Sequence, residues 1–183
     1  HDFYLYGNTF QNGTRRYCER VNSFTYLGFT LTFFDDVDIP NKILKYTKTL
    51  GAINKVMKPS LVQRHTRIRL YKTLARPVLC YGSEAWTMRK KDISRITANE
   101  MKFMRYTAGY TKWDHKHNND IMDELQLEPI INYIQQYQNQ WTKHVHRMSH
   151  TRIPKAMLRY QPRGKRSLGR PMKRWSENPQ VRS

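Results

Sequence analysis

The sequence predicts an α+β protein, mainly α-helical, with a short antiparallel β element, a helical bundle and an extended basic tail. Aromatic and β-branched residues dominate the first forty positions. Apolar residues then recur every three or four positions, and prolines and glycines break this period near the end. We therefore place the β element at residues 1–38, the bundle at 39–149 and a flexible basic tail at 150–183.

Three strands are expected in the β element, at Phe3–Tyr6, Arg15–Val21 and Phe24–Phe33. Asn12 and Gly13 stand between the first two strands. They favour a type I′ hairpin, because both central positions of that turn need a positive φ. The element is therefore expected to be antiparallel.

Helical periodicity begins at Asp38, which can cap a first helix, and Pro59 is expected to end that helix. Ser60 can cap a second helix, in which Pro77 predicts a kink or a break and Tyr81-Gly82 predicts a bend. The apolar arc of this second helix comprises Leu61, Leu70, Tyr71, Leu74, Ala75 and Val78. The basic stripe beside that arc comprises Arg69, Lys72 and Arg76.

Three further helices complete the predicted bundle. One runs from Asp92 to Ala108 and ends at Gly109, a residue suited to a left-handed cap. A short helix at Asn118–Gln126 precedes a long one that starts from Pro129. The helix from Asp92 to Ala108, the third in the chain, is expected to bury Ile93, Ile96, Phe103 and Met104. Its Arg95, Lys102 and Arg105 are expected to face outward. The long helix carries an apolar stripe of Ile130, Ile134, Tyr137, Trp141, Val145 and Met148.

Three charged residues fall within apolar arcs of the predicted helices. Glu100 lies in the arc of the third helix, and Arg64 and Arg67 lie in the arc of the second. A charge in such a position is costly unless it is paired. We therefore expect Glu100 to form a salt bridge with Arg64 or Arg67.

The charge balance points to a polyanionic partner. The chain has 33 Lys and Arg against 14 Asp and Glu, a net charge of +19. Residues 41–149 carry twenty basic residues against eight acids, and the excess is densest in residues 150–183, where ten basic residues face one acid. Basic patches release counterions from phosphates, so nucleic acid is the expected partner.

Other features of the sequence argue against a membrane or secreted protein. The longest apolar run, near Phe24–Phe34, is interrupted by threonines and a glycine and is too short to span a membrane. No signal-peptide pattern is visible, and Cys18 and Cys80 have no paired spacing. A nuclear or cytoplasmic location, or both, is expected.

Two parts of the sequence have residue types found in metal sites. Phe33-Phe34-Asp35-Asp36 matches the aromatic-x-Asp-Asp pattern with which polymerase palms hold two Mg²⁺ ions, but a helix entry follows it. We interpret it as a solvated loop that caps the next helix. The histidine clusters at residues 115–117 and 144–150 do not supply four sure zinc ligands. No metal ligand and no catalytic residue is therefore assigned.

The tail carries the strongest binding signal in the sequence. Its cations can contact phosphates, and the ring of Trp175 offers a face for base stacking. The predicted contacts of the tail are Arg163, Lys165, Arg166, Arg170, Lys173, Arg174 and Trp175. An AT-hook core at Gly169-Arg170-Pro171 and a nuclear-targeting run remain alternatives for the same residues.

Several strings occur in an order typical of one family. Phe24-Thr25-Tyr26-Leu27-Gly28 is followed by the long string from Ile68 to Trp86, which includes Tyr71-Lys72-Thr73-Leu74-Ala75-Arg76-Pro77 and Tyr81-Gly82-Ser83-Glu84-Ala85-Trp86. Later pieces are Glu100-Met101, Trp141 with His144, and Gly164-Lys165-Arg166 through Trp175. Over residues 21–175 the chain resembles the primer-grip, thumb and post-thumb region of non-LTR (LINE-type) retrotransposon reverse transcriptases.

The resemblance implies a fragment of an RNA-directed DNA polymerase. Phe24, Tyr26, Leu27 and Gly28 look like the primer grip at the end of a palm, and the helices look like a thumb. Such a region grips an RNA/DNA template–primer duplex through contacts with the DNA or RNA backbone that do not depend on sequence. Its other expected partners are the upstream palm and fingers of the same polyprotein. No membrane is expected among its partners.

The family's catalytic aspartates precede the primer grip, so they would lie before His1. Without them the chain alone is expected to be inactive and to need no cofactor. Mg²⁺ is expected only in the parent enzyme. The alternative is a domesticated or relic DNA-binding or scaffolding protein without enzymatic activity.

Overall fold

The computed structural model describes residues 3–6, 18–32, 37–158 and 175. It is mainly helical with short antiparallel strands, which confirms the predicted α+β class. The chain divides into two compact units, residues 1–42 and residues 43–183. The helical core described below belongs to the second unit.

The strands form two separate antiparallel pairs. Strand β1 (Phe3–Tyr6) pairs with β2 (Cys18–Val21), and β3 (Ser23–Tyr26) pairs with β4 (Phe29–Thr32). Phe3 lies opposite Val21 in the first pair. The predicted Asn12-Gly13 turn lies outside the described residues.

The single strand predicted at Phe24–Phe33 is wrong. A two-residue turn at Leu27-Gly28 divides it into β3 and β4, and Tyr26 pairs with Phe29 across the turn. The φ angles of Leu27 and Gly28 are 48° and 76°, both in the left-handed region. A type I′ turn needs this conformation, which glycine adopts easily and leucine does not, so the leucine concealed the turn in the sequence.

Seven helices occur in the described part of the chain. They are α1 (Asp38–Val56), α2 (Arg64–Leu70), α3 (Arg76–Cys80), α4 (Lys90–Ala108), α5 (Asn118–Glu124), α6 (Ile130–Arg147) and α7 (Ile153–Leu158). None of them is long and apolar enough to cross a membrane.

Helix boundaries follow the predicted signals in three places and depart from them in two. Asp38 is the first residue of α1, α1 ends before Pro59, and Gly109 follows α4 with a φ of 86°. Ser60 does not begin a helix, since α2 starts at Arg64. Helix α7 lies where an extended tail was predicted, because a proline in the first turn of a helix, here Pro154, sacrifices no helical hydrogen bond.

A π-helical turn at Tyr71–Ala75 joins α2 to α3 and accounts for the break predicted at Pro77. The N–H of Arg76 bonds to the carbonyl of Tyr71, five residues back. The extra residue in this turn rotates the side chains on either side of it relative to each other. Leu74 of the predicted apolar arc, which lies in this turn, is exposed, and Leu61 is exposed because it lies before the start of α2.

The core of the second unit is built from α1, the π turn, α3, α4, α5 and α6. Its fully buried side chains include Tyr46, Tyr71, Leu79, Trp86, Ile96, Phe103, Met104, Ile121, Ile130 and Ile134. In α6, Gln138 and Thr142 are buried, whereas Tyr137 and Trp141 of the predicted stripe are exposed. Gln138 donates to the carbonyls of Ser83 and Trp86 at 3.2 and 3.0 Å, which ties α6 to the turn after α3.

The expected salt bridge from Glu100 to Arg64 or Arg67 is wrong. The Glu100 carboxylate instead accepts hydrogen bonds from the Tyr71 hydroxyl at 2.5 Å and from the Ile130 N–H at 3.1 Å. Ile130 is the first residue of α6, and the unpaired N–H groups of a helix start attract a carboxylate. Burial raises the pKa of the Glu100 carboxyl above its usual range.

Candidate nucleic-acid interface

A groove of about 910 Å³ lies between the end of α1 and one face of α4. Asn54 and Lys55 come from α1, and Tyr110 and Thr111 come from the segment after α4. The remaining lining residues are Ala98, Met101, Lys102, Arg105 and Tyr106. All of them belong to the second compact unit.

The groove is positively charged. Lys55, Lys102 and Arg105 line it, and its lining contains no acidic residue. Within the described part of the chain, none of these three cations forms a salt bridge. The guanidinium of Arg105 donates to the Lys116 carbonyl and to Asn118 Oδ1, both at 2.8 Å. Because both acceptors are neutral, its charge remains available to an anionic ligand.

Buried Arg67 connects the two walls of the groove. Its guanidinium donates to Asn54 Oδ1 at 2.6 Å and lies 5.3 Å from the ring centroid of Tyr106. It also donates to Thr107 Oγ1 at 3.2 Å and to the Met57 carbonyl. Burial lowers the pKa of this guanidinium, but arginine stays protonated in proteins. The cation therefore fixes the spacing between α1 and α4.

Tyr110 at the end of the groove is held by Glu124 of α5. The Tyr110 hydroxyl donates to the Glu124 carboxylate at 2.7 Å, as do Arg64 at 2.7 Å and Lys116 at 3.4 Å. The hydrogen bond from Tyr110, followed by those from Arg64 and Lys116, lowers the pKa of Glu124. The charge of the Glu124 carboxylate is thus balanced by Arg64 and Lys116, neither of which lines the groove.

A row of cations on α4 leads into the groove. Lys91, Arg95, Lys102 and Arg105 are spaced by four, seven and three residues, which puts them on one helix face. The first three are exposed and Arg105 is half-buried. The predicted outward orientation of Arg95, Lys102 and Arg105 is confirmed. We call Lys91, Arg95, Lys102 and Arg105 the α4 ridge.

The three residues of the basic stripe predicted on the second helix differ in exposure. Arg69 and Lys72 are exposed and accessible to a ligand. Arg76 is buried, with its guanidinium 3.9 Å from the ring centroid of Tyr133 and 5.3 Å from that of Tyr71. The prediction that Arg76 shares an exposed face with Arg69 and Lys72 is therefore wrong, because the π turn rotates it toward the core.

Trp175 is the one predicted tail contact within the described residues. Its Nε1 donates to the Glu84 carbonyl at 2.9 Å, and its half-buried ring lines a cavity of about 250 Å³ with Trp141, Val145 and Leu158. Its role in base stacking stays a prediction. The predicted contacts Arg163, Lys165, Arg166, Arg170, Lys173 and Arg174 lie outside the described residues.

The four primer-grip-like residues lie on the β3–β4 hairpin. Tyr26, Leu27 and Gly28 are exposed at its tip, and Phe24 is half-buried on β3. This placement leaves their role a prediction. The Phe33–Asp36 string lies outside the described residues.

Candidate metal ligands and nucleophiles are sparse in the described ranges. Residues 3–6, 18–32, 37–158 and 175 contain no cluster of three or more His, Cys, Asp or Glu side chains that could hold a metal ion. Cys80 is a buried free thiol, and burial raises its pKa to about 11. A thiol that stays protonated at neutral pH is a poor nucleophile.

Sequence reasoning missed the α1 side of the groove and its two tyrosines. The outward face of α4 could be predicted from its period, but the packing of α1 against that face could not. Lys55, Tyr106 and Tyr110 carry no local motif that marks them. Only the folded arrangement brings them beside Lys102 and Arg105.

Comparison with known proteins identifies a relative that is described as transposon-derived. The chain is 26% identical over 165 residues to an uncharacterized protein of Caenorhabditis elegans described as transposon-derived. The match covers 86% of this chain and 59% of the relative, so the chain spans less than two thirds of the length of that protein. No protein-family model and no solved structure matches the chain.

Proposed function

We propose that this chain is the part of a retrotransposon reverse transcriptase that grips the RNA/DNA template–primer duplex after the active site. The groove between α1 and α4 is the observation that carries the proposal. Lys55, Lys102 and Arg105 converge there without an acidic neighbour in the lining. Such a site suits phosphates, because each neutralised phosphate releases counterions.

The α4 ridge extends this basic surface along one strand of a duplex. Its ends, Lys91 and Arg105, are fourteen positions apart, which corresponds to about 21 Å of helix at about 1.5 Å per residue. One strand of B-form DNA carries a phosphate about every 3.4 Å along its axis. The strand winds around this axis whereas α4 is straight, so the four cations of the α4 ridge can contact only the few phosphates that face them. Contacts of this type fix the position of a duplex without reading its sequence.

Two further observations support the proposal. The relative in Caenorhabditis elegans is described as transposon-derived. The order of strings from Phe24 to Trp175 resembles the primer-grip, thumb and post-thumb region of LINE-type reverse transcriptases. In the parent enzyme the catalytic Mg²⁺ ions would be held by upstream carboxylates, and this chain would hold the duplex beside them, in the nucleus or the cytoplasm.

Fluorescence anisotropy of a blunt RNA/DNA hybrid across a salt series tests the proposal. Lys55→Gln/Lys102→Gln removes two groove cations, and Lys45→Gln/Lys48→Gln is the matched control, because both control lysines are exposed on α1 but do not line the groove. Each lost phosphate contact lowers the slope of log affinity against log salt by about 0.9 for B-form DNA. In the groove variant, the slope of log affinity against log salt should therefore be smaller in magnitude by up to about two.

The outcomes separate the proposal from its rivals. Equal losses in the groove variant and in the control variant would contradict a specific role for the groove. A preference of the wild type for duplex DNA over the hybrid would favour a domesticated or relic DNA-binding protein. Primer extension by this chain with Mg²⁺ would contradict the view that it lacks the catalytic carboxylates.

A further inference from the structure

Trp113 is the most exposed large hydrophobic side chain of the described residues, with 85% of its surface accessible. Tryptophan is normally largely buried. Trp113 lies in the 3₁₀ turn Lys112–Asp114, directly after the groove residues Tyr110 and Thr111. An exposed indole two residues beyond Thr111, the last residue of the groove lining, therefore needs an explanation.

The turn that carries Trp113 is held by its own hydrogen bonds. The N–H and the hydroxyl of Thr111 donate to Asp114 Oδ2 at 2.5 and 2.7 Å. The N–H of Trp113 donates to Thr111 Oγ1 at 3.3 Å. This capping box fixes the backbone beneath the indole. A ligand that meets the ring therefore does not have to order the turn.

The tyrosines of the groove are less available for stacking than Trp113. Tyr106 has the Arg67 guanidinium 5.3 Å from its ring centroid, and Tyr110 has Lys116 Nζ at 4.8 Å. The Tyr110 hydroxyl is also bonded to Glu124. Each ring thus already has a cation against it. Within the described part of the chain, the Trp113 ring makes no aromatic or cation–π contact.

We infer that Trp113 stacks on an unpaired nucleotide base that adjoins the duplex held in the groove. This inference rests on the proposed function. Inside a duplex both faces of each base are covered by neighbouring base pairs, so an indole outside the helix can reach only an unpaired or terminal base. Stacking of a base on an aromatic ring stabilises the complex and tolerates any base, because every base has a π-face.

Binding of two hybrids tests the inference, one blunt and one with a three-nucleotide single-stranded extension. Trp113→Ala should weaken binding of the extended hybrid about tenfold, which corresponds to about 1.4 kcal/mol, and leave the blunt hybrid nearly unchanged. The salt slope should not change, since no phosphate contact is lost. Trp113→Phe should restore most of the affinity. Tyr137→Ala, which removes another exposed aromatic ring, is the matched control.

An abasic extension provides the decisive comparison. Removal of the bases should weaken binding to the wild type about tenfold and cause no further loss in Trp113→Ala. Additive losses, or equal losses on both hybrids, would overturn the inference. So would unchanged binding of both hybrids by Trp113→Ala, the result expected if the indole contacts a protein instead.

The result also distinguishes this inference from the proposed function. If the wild type binds the blunt hybrid through the groove lysines and gains nothing from the extension, only the role of Trp113 fails. If the wild type binds neither hybrid, both the proposed function and the inference are overturned.

Discussion

Arg67 and Asn54 are joined by a hydrogen bond of 2.6 Å between the guanidinium and Oδ1. Asn54 lines the groove, whereas Arg67 is buried beneath it and also packs against Tyr106 on the opposite wall. A cation with only neutral acceptors among the described residues thus holds the groove in shape. Its charge adds to the positive potential of the site without touching a ligand.

Arg67→Met should destabilise the protein by about 3 kcal/mol, because it removes the donor from the acceptors at Asn54, Met57 and Thr107. Methionine keeps much of the apolar stem, so the loss reports mainly on the hydrogen bonds. Urea unfolding measures the change. Arg69→Met, at an exposed position two residues away, should change stability by less than about 0.5 kcal/mol. Similar losses in both variants would contradict the assignment.

Glu100→Gln should change how stability depends on pH. An unfolded glutamate titrates near about pH 4.3, and burial raises the pKa of Glu100 in the folded state. The stabilising contribution of the protonated carboxyl is complete below about pH 4 and is lost as the pH rises through the folded pKa. The stability of the variant relative to the wild type should therefore increase as the pH rises above about 4. A decrease over this range would show a lowered pKa.

Glu124→Gln should show the opposite pH dependence. Hydrogen bonds from Tyr110, Arg64 and Lys116 lower the pKa of Glu124 in the folded state. The contribution of this carboxylate is present above the pKa of the unfolded state and is lost as the pH falls through the folded pKa. The variant should be less stable than the wild type at neutral pH, and the difference should shrink in acid. Denaturant unfolding of both variants at matched pH values measures the two opposite trends.

Leu27→Asn should stabilise the β3–β4 hairpin. Leu27 has a φ of 48°, a conformation that costs an ordinary residue about 1–2 kcal/mol and that asparagine tolerates. The expected gain of about 1 kcal/mol should slow hydrogen exchange of the hairpin amides about fivefold. Gly28→Ala, at a φ of 76°, should accelerate the same exchange. Slower exchange in both variants would contradict a type I′ turn.

Local signals explain which parts of the fold could be predicted. Gly109 ends α4 because a left-handed cap favours glycine, and the periodicity of α4 predicted its buried Ile96, Phe103 and Met104. In α6 the predicted Ile130, Ile134 and Val145 are buried, but Gln138 and Thr142 are buried in place of Tyr137 and Trp141.

The wrong predictions concern side chains whose orientation or partner depends on tertiary structure. The π turn at Tyr71–Ala75 turns Arg76 inward, and no periodic pattern can anticipate an added residue in a helical turn. Glu100 was correctly expected to need a partner, but the partners are a hydroxyl and a helix start rather than a guanidinium. The groove depends on the packing of α1 against α4, about which the residues of either helix alone carry no information.

Leu158 and Trp175 line the same cavity, next to Trp141. The sixteen residues between them include seven Lys or Arg and no acid. A polyanion that binds these sixteen residues would therefore bind a segment whose two flanking residues, Leu158 and Trp175, both pack beside Trp141. Deletion of everything after Met148 would remove α7 and uncover the apolar surface around Trp141, as well as removing charge. The electrostatic part of the tail can be isolated by substituting its arginines and lysines while Leu158 and Trp175 are kept.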